Sequence, residues 1–329
     1  MLSPPATLTS DDLARVLSDG WGLAVTSIDY LPVGFGSHHW RVAGAGAARW
    51  FVTADDLDRK QSTNEPAGTR LARLRAALAT ALDLRQCGAS FVIAPIPTRA
   101  GEPLVLTDQE MGVALYPYVD GQSFSWGDFP TPAHRRGVLD LLIALHTAPA
   151  AARRHALADD FAVPHRDQLE LALGHDGAGW RGGPYANRTA ALLAGSEAKV
   201  RRLLASYDGL VRQAARWPGR AVLSHGEPHP GNTMLTPAGW VLIDWDTVLL
   251  APPERDLWNL DPGDGSIIAA YSGATGTALL PPLLELYRIR WDVADIAADV
   301  SRLLGPHSGS LDDDKCWNLL RSLIGRLPG

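Results

Sequence analysis

The segment that decides the fold of this chain reads Ser224-His225-Gly226-Glu227-Pro228-His229-Pro230-Gly231-Asn232, and it is followed by Val241-Leu242-Ile243-Asp244-Trp245-Asp246. A loop rich in Pro and Gly carries a carboxylate, Glu227, and an amide, Asn232, and the next apolar stretch ends at a second carboxylate, Asp244. Phosphoryl transfer requires a carboxylate that orients the attacking hydroxyl and accepts its proton, and oxygen ligands that hold Mg²⁺ against a triphosphate. These three residues supply those parts, so the segment predicts phosphoryl transfer.

The same residues also suit a purely structural loop. Polar turns between strands often contain Glu, Asn and Asp for turn chemistry alone. Either role explains any one of the three residues, but their combination with the following strand favours the catalytic interpretation. The Pro and Gly residues would give the loop a fixed shape, and fixed geometry is a main source of rate gain in such enzymes.

The region before this segment has the pattern of a small antiparallel sheet. Strands are predicted at Ser27–Val33, Trp40–Ala43, Ala48–Thr53, Phe91–Pro95, Pro103–Leu106 and Gly112–Val119, with glycines between the first three. A capped helix is predicted after Thr9, and a second helix over Arg70–Gln86. This part of the chain is therefore expected to be rich in β-structure.

The pattern changes near residue 118. Helices are predicted over Thr131–Ala148, Thr189–Ala215, Leu279–Leu304 and Lys315–Leu327, whereas the polar stretch 159–183 predicts no element. Short strands at Ala221–Ser224 and Trp240–Ile243 flank the Pro/Gly-rich loop. The expectation is an α+β fold with a nucleotide-binding lobe over residues 1–118 and a catalytic, substrate-binding lobe over 119–329, with ligands between the lobes.

Composition excludes several function classes. The net charge is −6 and the pI about 5.9, which argues against a nucleic-acid partner and, more weakly, against an anionic membrane surface. The two distant cysteines form no disulfide framework. The first residues carry no signal-peptide pattern and no run of 18 apolar residues occurs, so the expectation is a cytoplasmic protein without membrane contact.

The loop resembles the catalytic loop of the aminoglycoside phosphotransferase and choline kinase superfamily, which reads His-Gly-Asp-x-x-x-x-Asn followed by Ile-Asp. The residues that follow are similar to spectinomycin phosphotransferases in particular. They are Ile243-Asp244-Trp245-Asp246, Ala251-Pro252 and Glu254-Arg255-Asp256-Leu257. The resemblance implies a two-lobed, protein-kinase-like fold and a phosphotransferase with an alcohol acceptor. It places Glu227 at the base position, Asn232 and Asp244 at the Mg²⁺ positions, and Asp246 in the cleft.

Weaker similarity covers the turn at 34–36, the strand at 50–53 and the segment Tyr116–Gly121. Glycines in such a turn let backbone N–H groups approach phosphates, and the backbone that connects the lobes would meet the base of ATP or GTP. The nucleotide-contacting residues expected from this are Gly34, Gly36, Ser37, His39, Arg41, Thr53, Tyr116, Tyr118 and Val119. A plain hairpin turn and an ordinary edge strand explain the same residues without a ligand.

Three departures from the superfamily pattern matter. Glu227 stands where the base is usually Asp, Thr53 stands where a Lys holds the α- and β-phosphates, and the helix over Arg70–Gln86 has no Glu to pair with that Lys. Losing Lys and Glu together avoids an unpaired buried charge. The chain is therefore either a non-catalytic relative, or other basic groups handle the phosphates. The second explanation is favoured because the metal-binding part is intact. The candidates are Arg41, Arg49, Arg75, His38 and His39.

The acceptor side is expected to involve Asp246, His229 and Trp258. The other candidates there are Trp180, Trp291, Asp261, Asp264, Glu285, Asp292 and Asp295, whose acidity would suit a cationic or polyhydroxylated small molecule. The leading hypothesis is a kinase for an aminocyclitol-, aminoglycoside- or nucleoside-type antibiotic that confers resistance. A metabolic kinase for a sugar or choline-like compound and a nucleotide-binding pseudokinase are the alternatives. The sequence does not choose between monomer and dimer.

The run Glu254-Arg255-Asp256 is expected to anchor a helix. In that structural role, Arg255 is predicted to pair with a neighbouring carboxylate.

Overall fold

The N-terminal lobe is built on a five-stranded antiparallel sheet. A computed structural model describes residues 1–34, 36–57, 68–174 and 182–328. The strands are β1 Val25–Leu31, β2 His38–Gly44, β3 Arg49–Asp56, β4 Val105–Leu106 and β5 Met111–Pro117, in the order β1-β2-β3-β5-β4. Five of the six strands predicted for this part of the chain thus form the predicted kind of sheet, with ends that differ by a few residues.

Two helices cover the two faces of this sheet. Helix α1 (Ser10–Trp21) begins at a capping box in which the hydroxyl of Thr9 accepts from Asp12 N, and it packs Leu13 and Leu17 on one face. Helix α2 (Thr69–Gln86) packs Leu74 and Leu78 on the other face. Because side chains alternate along a strand, the face toward α2 is the one that carries Phe51 and Tyr116, which pair directly across β3 and β5.

The C-terminal lobe is mainly helical. Its helices are α3 Pro132–His146, α4 Arg166–Leu173, α5 Ala186–Ala214, α6 Glu254–Leu257, α7 Ser266–Thr275, α8 Pro281–Leu304 and α9 Leu311–Arg326. Its strands are β6 Gln122–Ser123, β7 Val222–Ser224, β8 Thr233–Thr236, β9 Gly239–Leu242 and β10 Leu249–Ala251. They form a three-stranded sheet in the order β6-β8-β9 and a β10-β7 pair, and both lie beside the Pro/Gly-rich loop. Among the described helices, none is long and apolar enough to cross a membrane.

Some predicted elements differ from the structure for local reasons. Residues Phe91–Pro95 form no strand, because only Val92 pairs, with Leu242, and prolines at 95 and 97 remove ladder donors. Helix α9 begins four residues before the predicted Lys315, because Ser310 forms a capping box with Asp313. Helix α4 lies within the stretch 159–183, where no element was expected.

The core does not divide at one point of the chain. Ala81 and Leu84 of α2, together with Val92, belong to the same buried cluster as Leu142 of α3 and Leu223 of β7. The second half of α2 therefore packs on the helical lobe, while its first half packs on the sheet. The lobe boundary at residue 118 stays a prediction.

Candidate active site

The loop between β7 and β8 is held by a buried imidazole. The Nε2 of His225 donates to Ile243 O at 2.9 Å, and its Nδ1 accepts from Glu227 N at 3.3 Å. Burial lowers the pKa of His225 to about 4, so the ring is neutral near pH 7 and can both donate and accept. His225 thus links the loop to the end of β9, just before Asp244.

Asp256, the third residue of α6, binds the same loop from the other side. Its Oδ2 accepts from His225 N at 2.8 Å and from Nε2 of His146 at 3.0 Å, and its Oδ1 accepts from Gly226 N at 2.6 Å. Burial alone would raise the pKa of Asp256, but the hydrogen bond from His146 and the charge of Arg255 outweigh it and lower that pKa. No sequence pattern indicates the His146 contact, because 110 positions separate the two residues.

Arg255 closes the back of the loop. Its Nη1 donates to the hydroxyl of Ser224 at 2.8 Å and its Nη2 to Thr247 O at 2.8 Å. The prediction of a carboxylate partner for Arg255 is wrong in this respect, since a hydroxyl and a carbonyl accept its hydrogen bonds. Gly226 lies against the guanidinium with φ +99°, and a Cβ there would be 2.4 Å from Nη2, so only glycine fits.

Glu227 and Asn232 meet on the cleft side of this loop. The side chain of Glu227 is 38% exposed and its Oε2 lies 3.7 Å from Nε2 of His229. Burial opposes ionisation of Glu227, but the neighbouring His229 and the charge of Arg255 lower its pKa below the usual range. The side-chain amide of Asn232 donates to Glu227 O at 3.1 Å, so the two residues keep a fixed spacing.

Asp244 is brought to the same place through the backbone. Ile243 N donates to Asn232 O at 3.0 Å, which sets the start of the next turn beside the loop. Asp244 itself adopts a left-handed conformation with φ +66° and is exposed, while Asn232 is 8% exposed. These hydrogen bonds thus set Asp244 beside the loop that carries Glu227 and Asn232.

The oxygen atoms of this site suit a hard cation that takes some of its ligands from the protein and the others from phosphate groups. Since the amide nitrogen of Asn232 donates to Glu227 O, its Oδ1 is the atom that is left to coordinate a metal ion. In the part of the chain that the structure describes, no group of three or more His, Cys, Asp or Glu forms a metal cage. Mg²⁺ commonly takes one or two protein oxygens and completes its shell with phosphates and water.

The glycine turn lies above β2 and β3. Gly34 and Gly36 both have positive φ, of +69° and +97°, and Phe35 between them lies outside the described residues. The hydroxyl of Ser37 donates to Oδ1 of Asp55 at 2.7 Å. The turn therefore has the local conformation that the glycines predict.

His39 and Thr53 face each other across β2 and β3, on the side toward α2. The ring of His39 stacks on Phe51 with centroids 5.3 Å apart, and its Nδ1 lies 3.0 Å from Val33 O. Burial lowers the pKa of His39 to about 4, so His39 carries no charge near pH 7. Because the single N–H of the neutral ring donates to Val33 O, His39 offers phosphate neither a positive charge nor a further donor in this arrangement.

The other basic candidates already have partners. Arg41 pairs with Asp29 at 3.2 Å, Arg49 with Asp120 at 2.7 Å, and Arg75 with Glu102 at 3.2 Å, while Nδ1 of His38 is 3.1 Å from the hydroxyl of Tyr30. Arg49 also lies 4.6 Å from the centre of the ring of Tyr118, next to Val119 in the connection between the lobes. A role for any of them at a phosphate would require these contacts to be exchanged.

Helix α2 presents no acidic partner toward Thr53. Its face toward the sheet is formed by Leu74 and Leu78, and Asp83 near its end binds Arg154 at 2.7 Å and His155 at 2.8 Å instead. The side of α2 that faces the sheet is thus apolar at the place where a Glu would pair with that Lys.

The side of the loop that carries His229 is lined by α8 and the end of α6. The ring of His229 lies 6.2 Å from that of Trp291, which lies 5.8 Å from that of Trp258. Burial and the charges of Asp299 and Glu227 raise the pKa of Asp295 to about 7. These side chains form a partly aromatic, acidic wall next to Glu227.

Several acidic candidates have structural contacts instead. Asp261 and Asp264 accept from backbone N–H groups at the start of α7, and Glu285 pairs with Arg288 on α8. Trp180 lies outside the described residues. Asp295 differs from these three residues in that the charge of Glu227 contributes to its raised pKa.

Fold and site together define a phosphotransferase of the kinase-like type. The model of the Phosphotransferase enzyme family matches residues 39–298, and the chain belongs to this family. The predicted superfamily, the two-lobed fold and a phosphotransferase that acts on hydroxyl groups are thereby confirmed.

Individual relatives agree with this assignment. Protein StrN of Streptomyces griseus is 33% identical over 249 residues, which are 72% of this chain and 72% of that protein. A spectinomycin phosphotransferase solved with ADP and spectinomycin superposes with a TM-score of 0.70 at 16% identity, covering 97% of both chains. The choline kinase LicA of Streptococcus pneumoniae superposes with a TM-score of 0.58 at 13% identity, covering 96% of this chain and 98% of that one. At these identities the two structures show a shared fold.

Proposed function

We propose that this protein transfers the γ-phosphoryl group of ATP or GTP to a hydroxyl of a small, amine-bearing antibiotic of the aminocyclitol or aminoglycoside type, and so confers resistance. The observation that carries the proposal is the grouping of Glu227, Asn232 and Asp244 by the hydrogen bonds of one rigid loop. Because nucleoside triphosphates are cytoplasmic metabolites, we place the reaction in the cytoplasm.

Each residue of the group has a chemical role in this proposal. Glu227, held ionised by its surroundings, orients the acceptor hydroxyl and takes its proton as the oxygen attacks the γ-phosphorus. Asn232 and Asp244 hold Mg²⁺. When bound, the metal offsets negative charge on the phosphates. The additional methylene of Glu227, compared with Asp, moves the accepting oxygen toward His229 and the acceptor.

The wall beside Glu227 supports an amine-bearing acceptor. Aromatic rings such as those of Trp258 and Trp291 pack on the flat faces of sugars and attract cations, and an ionised Asp295 would pair with an ammonium group. The related fold that binds ADP and spectinomycin supports both the nucleotide donor and this acceptor class.

The test is an assay of Mg²⁺-dependent ATP and GTP consumption with a panel of aminocyclitols, aminoglycosides, nucleoside antibiotics, sugars and choline. We expect Glu227→Gln to lower transfer by about 10²–10⁴-fold while nucleotide binding persists. Asp160→Asn, which changes an exposed carboxylate paired with Arg73, is the matched control and should retain full activity. Phosphorylation of a sugar or choline in preference to every antibiotic would instead identify a metabolic kinase.

A nucleotide-binding module without catalysis is the second candidate. It is favoured by Thr53 and by the apolar face of Leu74 and Leu78, which leave β3 without its usual ion pair. This candidate would be established if the protein binds nucleotide, transfers phosphate to no acceptor, and consumes nucleotide at the same background rate with and without Glu227→Gln.

A further inference from the structure

The side chain of Asn232 is held in one orientation by two acceptors. Its amide nitrogen carries two N–H groups. That nitrogen lies 3.1 Å from Glu227 O and 3.4 Å from Nε2 of His229, so each N–H group has an acceptor. If the acceptor at His229 were lost, a single hydrogen bond would hold the amide group. His229 therefore contributes to the orientation of the residue that offers its Oδ1 to a metal ion.

His229 is itself fixed by its surroundings. Its carbonyl oxygen accepts from Asn232 N at 3.0 Å, at the start of the short helical turn Pro230–Asn232. Gly231 lies against the imidazole, since a Cβ there would be 3.2 Å from both Nδ1 and Cε1. The ring of Trp291 lies nearly perpendicular to that of His229, at 88°. Only 11% of the His229 side chain is exposed, so the imidazole has little room to turn away from Asn232.

The two neighbours of Nε2 favour opposite tautomers of His229. An N–H of Asn232 requires an unprotonated Nε2, whereas the carboxylate of Glu227 would favour a proton there. Oε2 of Glu227 is 3.7 Å away, beyond hydrogen-bond distance, and the amide nitrogen of Asn232 is closer at 3.4 Å. Nδ1 is buried and has no hydrogen-bond partner in the part of the chain that the structure describes, so no contact there selects the tautomer. The geometry therefore favours His229 as an acceptor for Asn232.

We propose that His229 is a positioning residue for the metal ligand Asn232: by accepting the second amide N–H, it keeps the amide oxygen turned toward Mg²⁺. This inference rests on the proposed function. It gives His229 a role at the metal site, whereas the sequence nominated it for a contact with the acceptor. Removal of a group that orients a metal ligand typically lowers metal affinity about 10–100-fold. Loss of Nε2 should therefore weaken the metal-dependent part of nucleotide binding and leave the metal-independent part unchanged.

The experiment measures the binding of ADP rather than activity. Isothermal titration calorimetry gives the affinity for ADP with saturating Mg²⁺ and with EDTA, and the ratio of the two affinities is the contribution of the metal. His229→Phe keeps a flat ring and removes both ring nitrogens. We expect the ratio to fall about 10-fold in this variant, with less than about 2-fold change in the affinity for ADP in EDTA.

Two shorter or longer amides at the same position test which nitrogen matters. In His229→Gln the side-chain oxygen can lie near the place of Nε2 and accept from Asn232, so this variant should restore most of the ratio. In His229→Asn the amide group ends near the place of Nδ1 and does not reach Asn232, so the ratio should fall as in His229→Phe. His229→Asn also tests the inference if His229→Phe does not fold.

The matched control is His155→Phe. It makes the same substitution at an exposed histidine that pairs with Asp83 at 2.8 Å and is remote in sequence from the loop. This variant should keep the wild-type ratio of ADP affinities. Thermal unfolding of each variant verifies that it is folded.

Several results would overturn the inference. If His229→Phe weakens ADP binding equally with Mg²⁺ and with EDTA, His229 supports the loop as a whole and not the metal ligand. If the ratio is unchanged in His229→Phe and His229→Asn, or if His229→Gln loses as much as His229→Asn, the acceptor at Nε2 does not orient Asn232. The proposed function stands in each of these cases. If the wild type binds no ADP with Mg²⁺, both the inference and the proposed function are refuted.

Discussion

Replacing Asp256 by Asn should unlock the catalytic loop, because this buried carboxylate accepts three hydrogen bonds. They come from His225 N, Gly226 N and His146 Nε2, at 2.8, 2.6 and 3.0 Å. Asn keeps the shape but has one acceptor oxygen, so in either orientation its amide group faces at least one N–H donor. Breaking one side of a buried charged network costs about 3–5 kcal/mol in the free energy of unfolding.

The size of the chain converts this cost into a measurable change. With an unfolding entropy of about 2.1 cal/mol/K per residue, a chain of 329 residues should lose roughly 4 to 7 °C in its melting temperature. Displacement of Glu227 by about 1 Å should also lower kcat by roughly 100-fold. Circular dichroism melts give the first quantity, and the transfer assay gives the second.

The difference in the free energy of unfolding between the wild type and Asp256→Asn should change with pH in a definite direction. The surroundings lower the pKa of Asp256 in the folded state, so its stabilisation is present above the unfolded value of about 3.9 and is lost as the pH falls through the lower folded value. The stability gap between wild type and variant should therefore be full at pH 7 and shrink below about pH 4. Asp160→Asn, the same change at an exposed ion pair, should cost less than about 1 kcal/mol. Equal stability of the two variants would refute the reasoning.

Further expectations concern the loop and the acceptor wall. Gly226→Ala should cost at least about 2 kcal/mol in urea unfolding, because φ is +99° and the new Cβ meets Arg255; an unchanged midpoint would contradict this. Arg255→Lys should lower the free energy of unfolding by about 1–3 kcal/mol, since an ammonium group cannot reach both acceptors of the guanidinium. A melting temperature equal to that of the wild type would argue against a stabilising role for these two hydrogen bonds. Affinity for an amine-bearing acceptor should fall as the pH drops from about 8 to 6, because burial raises the pKa of Asp295 to about 7 and protonation removes its charge. Asp295→Asn should flatten this profile in calorimetric titrations, and an unaltered profile would exclude Asp295 as the partner of the amine.

Local patterns predicted most of the secondary structure. The capping residue Thr9, the glycines around β2 and the apolar spacing of α3 and α8 are local signals, and the corresponding elements form with ends that differ by a few residues. The stretch Phe91–Pro95 has the apolar, β-branched composition of a strand but does not form one. Whether such a stretch pairs depends on the neighbour it meets, and here only one residue pairs with β9.

At the candidate site, too, some features follow from the local sequence and others from contacts between distant residues. The local sequence alone places a carboxylate, an amide and a second carboxylate on one loop and the strand after it, since covalent spacing sets their order. The tertiary structure sets what holds them, because the contacts of Asp256 with His146 and with His225 join residues that are remote in sequence. It also decided that Arg41, Arg49 and Arg75 have acidic partners elsewhere. Charge pairing depends on distances of a few ångströms, and folding sets those distances.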